Sequence, residues 1–260
     1  MIAPVRKVPY TGLLPELEAS VLRLREMATQ AVATEIPPRT FTDDDPEALA
    51  AALDTVKELR RSADDLEAAG DARHWFSRLY QYVTEELIET CRRGDVAHPT
   101  WVLRLVPRFH TAYARNLETS PERHWAEAFD AIAEAANDRD AGALAFWRAV
   151  VAGARAHIEG DLPRVLRATY EEHYAGRCDY VRFRADCLLL SAPLGAAWKR
   201  LSSDVPARWF PPHLRVLDKM LPDEAIEHLT AQRFYDPLLA RRRAFEAGRR
   251  PETAITTGWH

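Results

Sequence analysis

The sequence is short of glycine, cysteine and positive charge, and each shortage closes a class of protein. Ten glycines in 260 residues are too few for the many tight turns of an all-β chain. Plentiful Ala, Leu, Arg and Glu point instead to helix. Cys91, Cys178 and Cys187 are an odd number without close spacing, so neither a disulfide framework nor a zinc knuckle is expected, and they read as free thiols in a reducing compartment. A net charge of −4, from 35 basic and 39 acidic side chains, removes the electrostatic basis for nucleic-acid binding. No run approaches the ~18 uninterrupted apolar residues of a membrane span; the most apolar stretch, residues 141–154, is interrupted by Arg148. The opening Met-Ile-Ala-Pro-Val-Arg-Lys-Val-Pro lacks the apolar run of a secretion signal, so a cytoplasmic location is expected. Glycine-rich phosphate loops, a Gly-x-Ser-x-Gly elbow, a His-Glu-x-x-His zinc helix and paired Glu-x-x-His motifs are all missing, which removes the commonest enzyme signatures.

What is present is helical periodicity. Hydrophobic residues make up 47% of the chain, and no segment sustains strand alternation. Residues 1–13 read as an extended arm, followed by a helix from Pro15 with Leu17, Val21, Leu24 and Met27 at helical spacing. Asp43-Asp44-Asp45-Pro46 predicts a restart running to Gly70, because capping carboxylates, proline and acidic charge all suit a helix N-terminus. Further helices are expected over 73–93, from Pro99 with a bend or break at Pro107, from Ser120, over 140–160, from Pro163 to Tyr174, over 179–201, and from Leu221 to about Ala247. Residues 204–213 read as a loop. The fold class is therefore all-α: a single multi-helix bundle of about nine or ten helices. Residues 1–70 form an arm and helical extension, 71–248 the core, and 249–260 a tail.

The chemistry centres on His157-Ile158-Glu159-Gly160-Asp161. His157 and Asp161 are four apart, so on a continuing helix they share a face bordering the most apolar stretch. An imidazole and a carboxylate at that spacing can hold one divalent metal between them, or the carboxylate can orient a catalytic imidazole. They can equally satisfy each other as a buried structural pair, or Asp161 can cap the helix beginning at Leu162-Pro163. His110 and Tyr80, on core-facing stripes, are candidates for further catalytic groups. Tyr113, Trp101, Arg104, Trp147, Asp179 and Arg184 are candidates for substrate binding, since aromatic walls with a few polar groups make a small-molecule pocket, although such residues more often build an ordinary helical core.

The chain also resembles a family of bacterial all-helical proteins known as a domain of unknown function. The likeness rests on Phe76-Ser77-Arg78-Leu79-Tyr80 with Val83-Thr84, on Arg104-Leu105 with Phe109 and Tyr113, on Trp125 with Ala128-Phe129, on Ala156-His157-Ile158 with Asp161-Leu162, and on Asp179-Tyr180. It covers roughly residues 72–247. Arg155, Glu159 and Arg184 stand where the family carries asparagine, so whatever those amides bind would be bound differently here. The resemblance implies no reaction but adds weight to His157 and Asp161. The resulting expectation is a small-molecule enzyme with an aromatic-lined helical pocket, working by acid/base or metal-assisted chemistry at the His157–Asp161 pair, with hydrolysis, cyclisation and isomerisation all open. The alternative is a non-catalytic ligand-binding or structural protein. A small molecule is the expected partner, with no nucleic acid and no membrane; a homodimer is compatible with such surfaces, although no seam specifies one.

Overall fold

In a computed structural model, residues 45–118, 120–137, 141–190, 192–206, 209 and 237–249 are described. The expected arm, the helix from Pro15, most of the 204–213 loop, the Leu221–Asp236 part of the last helix, and the tail from residue 250 lie outside them. Helix α1 spans Pro46–Ala68, and the Asp45 carboxylate accepts from the Glu47 amide at 3.0 Å as the acidic run predicts. Its buried Ala48, Ala52, Val56, Leu59 and Ala63 form one stripe. Helix α2, His74–Arg93, ends on Gly94 at φ 76°, a left-handed closure that glycine adopts without strain. Helix α3 spans Pro99–Glu118, α4 Arg123–Ala136 and α5 Ala141–Arg155. A π turn, Ala156–Asp161, leads directly into α6, Leu162–His173. A 3₁₀ turn, Tyr180–Phe183, and the short α7, Arg184–Leu189, precede α8, Ala192–Asp204, and α9, Pro237–Gly248.

The described residues are mainly helical, with no strand among them. The expected count is corrected. Because α5, the π turn and α6 form one continuous rod, and the 180–189 segment is a short connector, the described residues contain seven helical rods of twelve residues or more. The single helix expected over 179–201 is broken, since Pro193, in the first turn of α8, has no amide to continue the ladder from α7. Pro107 does not interrupt α3, which runs through it as one helix; the Thr111 hydroxyl donates to the Pro107 carbonyl at 2.9 Å.

Helices α1, α2 and α3 pack against one another, α4 lies along α5, α8 along α2, and α9 along α6. Three apolar clusters result. One joins α1, α3, α6, α7 and α9 around Trp101, Phe183 and Leu166. A second lies where α2, α5 and α8 meet, around Phe146 and Leu201. Between them sits a smaller cluster built mainly of rings, with Phe76, Tyr80, Tyr113 and Trp125 at its centre. The π turn delivers its polar side chains into this third cluster.

Candidate functional site

The π turn is explained by two residues. In it the Leu162 amide donates to the His157 carbonyl five residues back. Pro163, which follows, supplies no amide to restore the α ladder. Gly160 faces the ring of His124 so closely that a Cβ there would lie 2.2 Å from it; only glycine lets α4 and the turn approach this far. Both His157 and Asp161 are buried as a result.

Asp161 is a carboxylate held by four N–H donors. His124 Nε2 and Arg164 Nη2 donate to Oδ1 at 2.9 and 2.8 Å. Trp125 Nε1 and His157 Nδ1 donate to Oδ2 at 2.9 and 3.3 Å. Burial pushes this carboxyl up, but the hydrogen bonds from His124 and His157, with that from Trp125, outweigh it and hold Asp161 well below the usual carboxylate range. The side chain does not cap α6 as one reading of the sequence had it: no side-chain capping bond forms at Asp161, because its oxygens are committed to the knot.

Donation from Nδ1 leaves His157 Nε2 as the lone-pair nitrogen. That nitrogen is buried and has no hydrogen-bond partner among the described residues. The ring is boxed by aromatics: Phe109 stacks on it at 3.4 Å between centroids and 11° between planes, Tyr80 meets it edge-on at 4.3 Å, and Phe76, Trp125 and Tyr113 stand at 5.7, 6.0 and 6.1 Å. Burial lowers the His157 pKa in spite of Asp161, so the imidazole is neutral near pH 7. The Tyr80 hydroxyl is likewise buried without a partner, and burial, then the Asp161 charge, push its pKa far up. The Tyr113 hydroxyl is satisfied by Ser77 Oγ at 2.6 Å. A neutral imidazole with a free lone pair thus stands beside a neutral phenol, in a wall of rings.

The other expected site residues disperse. His110 is buried, with Nε2 3.2 Å from Glu58 Oε2, and burial lowers its pKa against the pull of that carboxylate. Trp101 stacks on Phe183 at 4.8 Å in a different cluster. Trp147 packs on Trp198 at 5.2 Å beside the cluster around Phe146 and Leu201. Asp179 accepts from the Val181 amide at 3.4 Å and starts the 3₁₀ turn. Arg184 pairs with Glu246 at 3.6 Å. Arg104 binds Asp45 at 2.8 Å and the Tyr174 hydroxyl at 2.8 Å. Only Tyr80 and Tyr113 join the His157–Asp161 pair. Sequence reasoning missed His124, Trp125, Arg164 and Phe109 as parts of the site; the adjacent His124-Trp125 and the three-residue step from Asp161 to Arg164 were the available signals.

The knot does not suit a metal. Asp161 oxygens already accept four donors, one the cationic guanidinium of Arg164, which would repel a divalent ion. Among the described residues no three His, Cys, Asp or Glu side chains are grouped to hold one.

Asp161 also forms part of the wall of a groove of about 690 Å³, bounded by the start of α1, the middle of α3, Glu122 and the face of α6. Ala48, Ala51, Ala112, Val165 and Ala168 contribute its apolar surface, and Arg104, Arg108, Arg115 and Arg164 lie along it with the carboxylates of Asp45, Glu47, Glu122 and Glu172.

Compared with known proteins, residues 52–250 match the model of a family described as a family of unknown function (DUF5995). No curated protein and no solved structure matches the chain.

Proposed function

The chain belongs to this family of unknown function, and from the buried cluster inside the matched region we propose a small-molecule enzyme whose acid/base group is His157, oriented by Asp161. One observation carries the reading: His157 Nε2 and Tyr80 Oη are both buried and unpartnered within the same aromatic box. Buried polar atoms are normally satisfied, so two orphans on rings 4.3 Å apart between centroids suit groups awaiting a substrate. In the proposed step Nε2 takes a proton from an O–H or C–H group of the bound molecule, the imidazolium keeps its Nδ1–H on Asp161, and the carboxylate balances the new positive charge. Tyr80 donates its hydroxyl hydrogen to the oxygen that gains charge. Hydrolysis, cyclisation and isomerisation share that step. A π turn under the acid/base pair agrees with the frequency of such turns at functional sites. The reading places the protein in the cytoplasm acting on a small molecule; no helix among the described residues is long and apolar enough to cross a membrane.

A second reading has its own observation. Phe109 covers a face of His157 at stacking distance and His157 is buried, as in a purely structural knot. Incubating a metabolite extract with the full chain and with His157→Gln, followed by mass spectrometry, separates the two. The enzyme reading expects at least one compound turned over by the wild type and not by the variant. Identical extracts, together with a large stability loss in the variant, would establish the structural reading.

A further inference from the structure

We propose that the groove ending on Asp161 binds a small organic carboxylate with an apolar body. This deepens the acid/base reading, on which it rests for naming a substrate class, while the binding itself is tested apart from catalysis.

Guanidiniums along the groove already hold carboxylates, and in two of the three pairs the cation is the better anchored partner. Arg104 is 14% exposed against 29% for its partner Asp45, and is fixed further by the Tyr174 hydroxyl. Arg108 is 32% exposed, whereas Glu172, which it binds across the groove, is 55% exposed. Arg164 and Glu122 are similarly half exposed, but Arg164 is tied from beneath by Nη2 to the fully buried Asp161 at 2.8 Å, while Nη1 reaches Glu122 at 2.6 Å. The guanidiniums thus belong to the walls, and Glu172 and Glu122, 55% and 41% exposed, cover them from the solvent side, each with one histidine as a further neighbour: His173 Nε2 at 3.4 Å from Glu172 and His124 Nδ1 at 3.9 Å from Glu122. Exposed pairs of this kind contribute little to stability, about 0–1 kcal/mol each, so exchange for a ligand carboxylate costs little. A guanidinium presents a planar fork that matches carboxylate geometry.

Alanines and Val165 supply apolar surface between these cations, and about 690 Å³ is room for a small organic molecule. A carboxylate taking the place of Glu122 on Arg164 Nη1 would share that guanidinium with Asp161. Its charge would then reach the donor set that orients His157.

Hexanoate is the probe, titrated into the full-length protein by calorimetry at low salt, with hexanol, acetate and hexylammonium as controls. Hexanoate is expected to bind at least tenfold tighter than each control. Glu172→Gln, which removes the competing carboxylate and lies outside the acid/base centre, is expected to tighten hexanoate several-fold. Arg108→Gln is expected to weaken it about tenfold, and both variants should keep the wild-type melting temperature within a few degrees. Hexanol binding as tightly as hexanoate, tightest binding of hexylammonium, absence of binding at 10 mM, or a Glu172→Gln variant that binds hexanoate no better would each overturn the proposal. None of these outcomes depends on turnover at His157, so failure here and failure of the acid/base reading are distinguishable.

Discussion

Replacing Asp161 by asparagine should be among the most damaging single changes in the chain. The carboxylate accepts from His124, Arg164, Trp125 and His157, on both oxygens. An asparagine of the same shape keeps one acceptor oxygen and turns an NH₂ group toward the other pair of donors. In either pair the histidine can change tautomer and accept, but the Trp125 or Arg164 N–H then faces another N–H, and the Arg164 cation loses its buried counter-charge. Hydrogen bonds to a charged group contribute about 1.5–3 kcal/mol each and are not additive; removing one partner of a buried charged set costs about 3–5 kcal/mol. A loss of ~3–5 kcal/mol corresponds to a fall of roughly 6–20 °C in Tm for a body of this size. Urea unfolding at pH 7 reads the free energy and thermal melting reads the shift. Acid titration gives an independent check. The Asp161 pKa in the folded state lies well below its usual value, so its stabilisation is complete above the unfolded-state pKa of about 3.9 and is lost as pH falls below it. The wild type should therefore lose stability more steeply than Asp161→Asn below about pH 4. A variant within about 1 kcal/mol of wild type, with an unchanged acid limb, would refute the reasoning that the four bonds form one charged knot.

Other consequences can be checked singly. Gly160→Ala forces its methyl into the His124 ring and should cost about 1–3 kcal/mol, but much less when it is introduced into His124→Ala; urea unfolding of the wild type, both single variants and the double variant decides. Histidine NMR should find His157 titrating below the usual value because burial disfavours its charged form. Its contribution to stability is then present above about pH 6.5 and diminishes as pH falls through that value, and a His157 pKa above 6.5 would contradict the geometry. Ser77→Ala leaves the buried Tyr113 hydroxyl without its partner and should destabilise by about 1–3 kcal/mol, measured by thermal melting against Ser77→Ala/Tyr113→Phe, which should regain most of it.

Periodicity carried the fold and stopped short of the site. The stripes through Phe76, Leu79 and Tyr80 and through Leu105, Phe109 and Tyr113, together with caps at Asp45 and Gly94, are local signals, and the helices that they predict are present. The break near Pro193 was visible in the sequence but lost against an otherwise continuous apolar pattern. The His157–Asp161 contact was legible because both residues lie on one turn. What it meets was not. Trp125 and His124 reach Asp161 from another helix, and Phe109 covers His157 from a third, so these contacts depend on packing angles that no local spacing encodes. Trp101 and Trp147 were drawn in by residue type alone; Trp101 is buried in the core against Phe183, and Trp147 packs, partly buried, on Trp198. The setting of the pair was hidden in the same way: His157 and Asp161 alone have the donor chemistry for a metal, and only the fold adds the Arg164 cation to Asp161.

Tyr80→Phe tests the acid/base reading most directly, because it separates function from stability. The hydroxyl makes no hydrogen bond among the described residues, so deleting it while keeping the ring should leave the protein as stable as wild type or up to about 1 kcal/mol more stable. If the box is a reaction site, turnover of the compound consumed by the wild type should fall at least tenfold in this equally stable variant. Full turnover in Tyr80→Phe, with stability unchanged, would contradict the account.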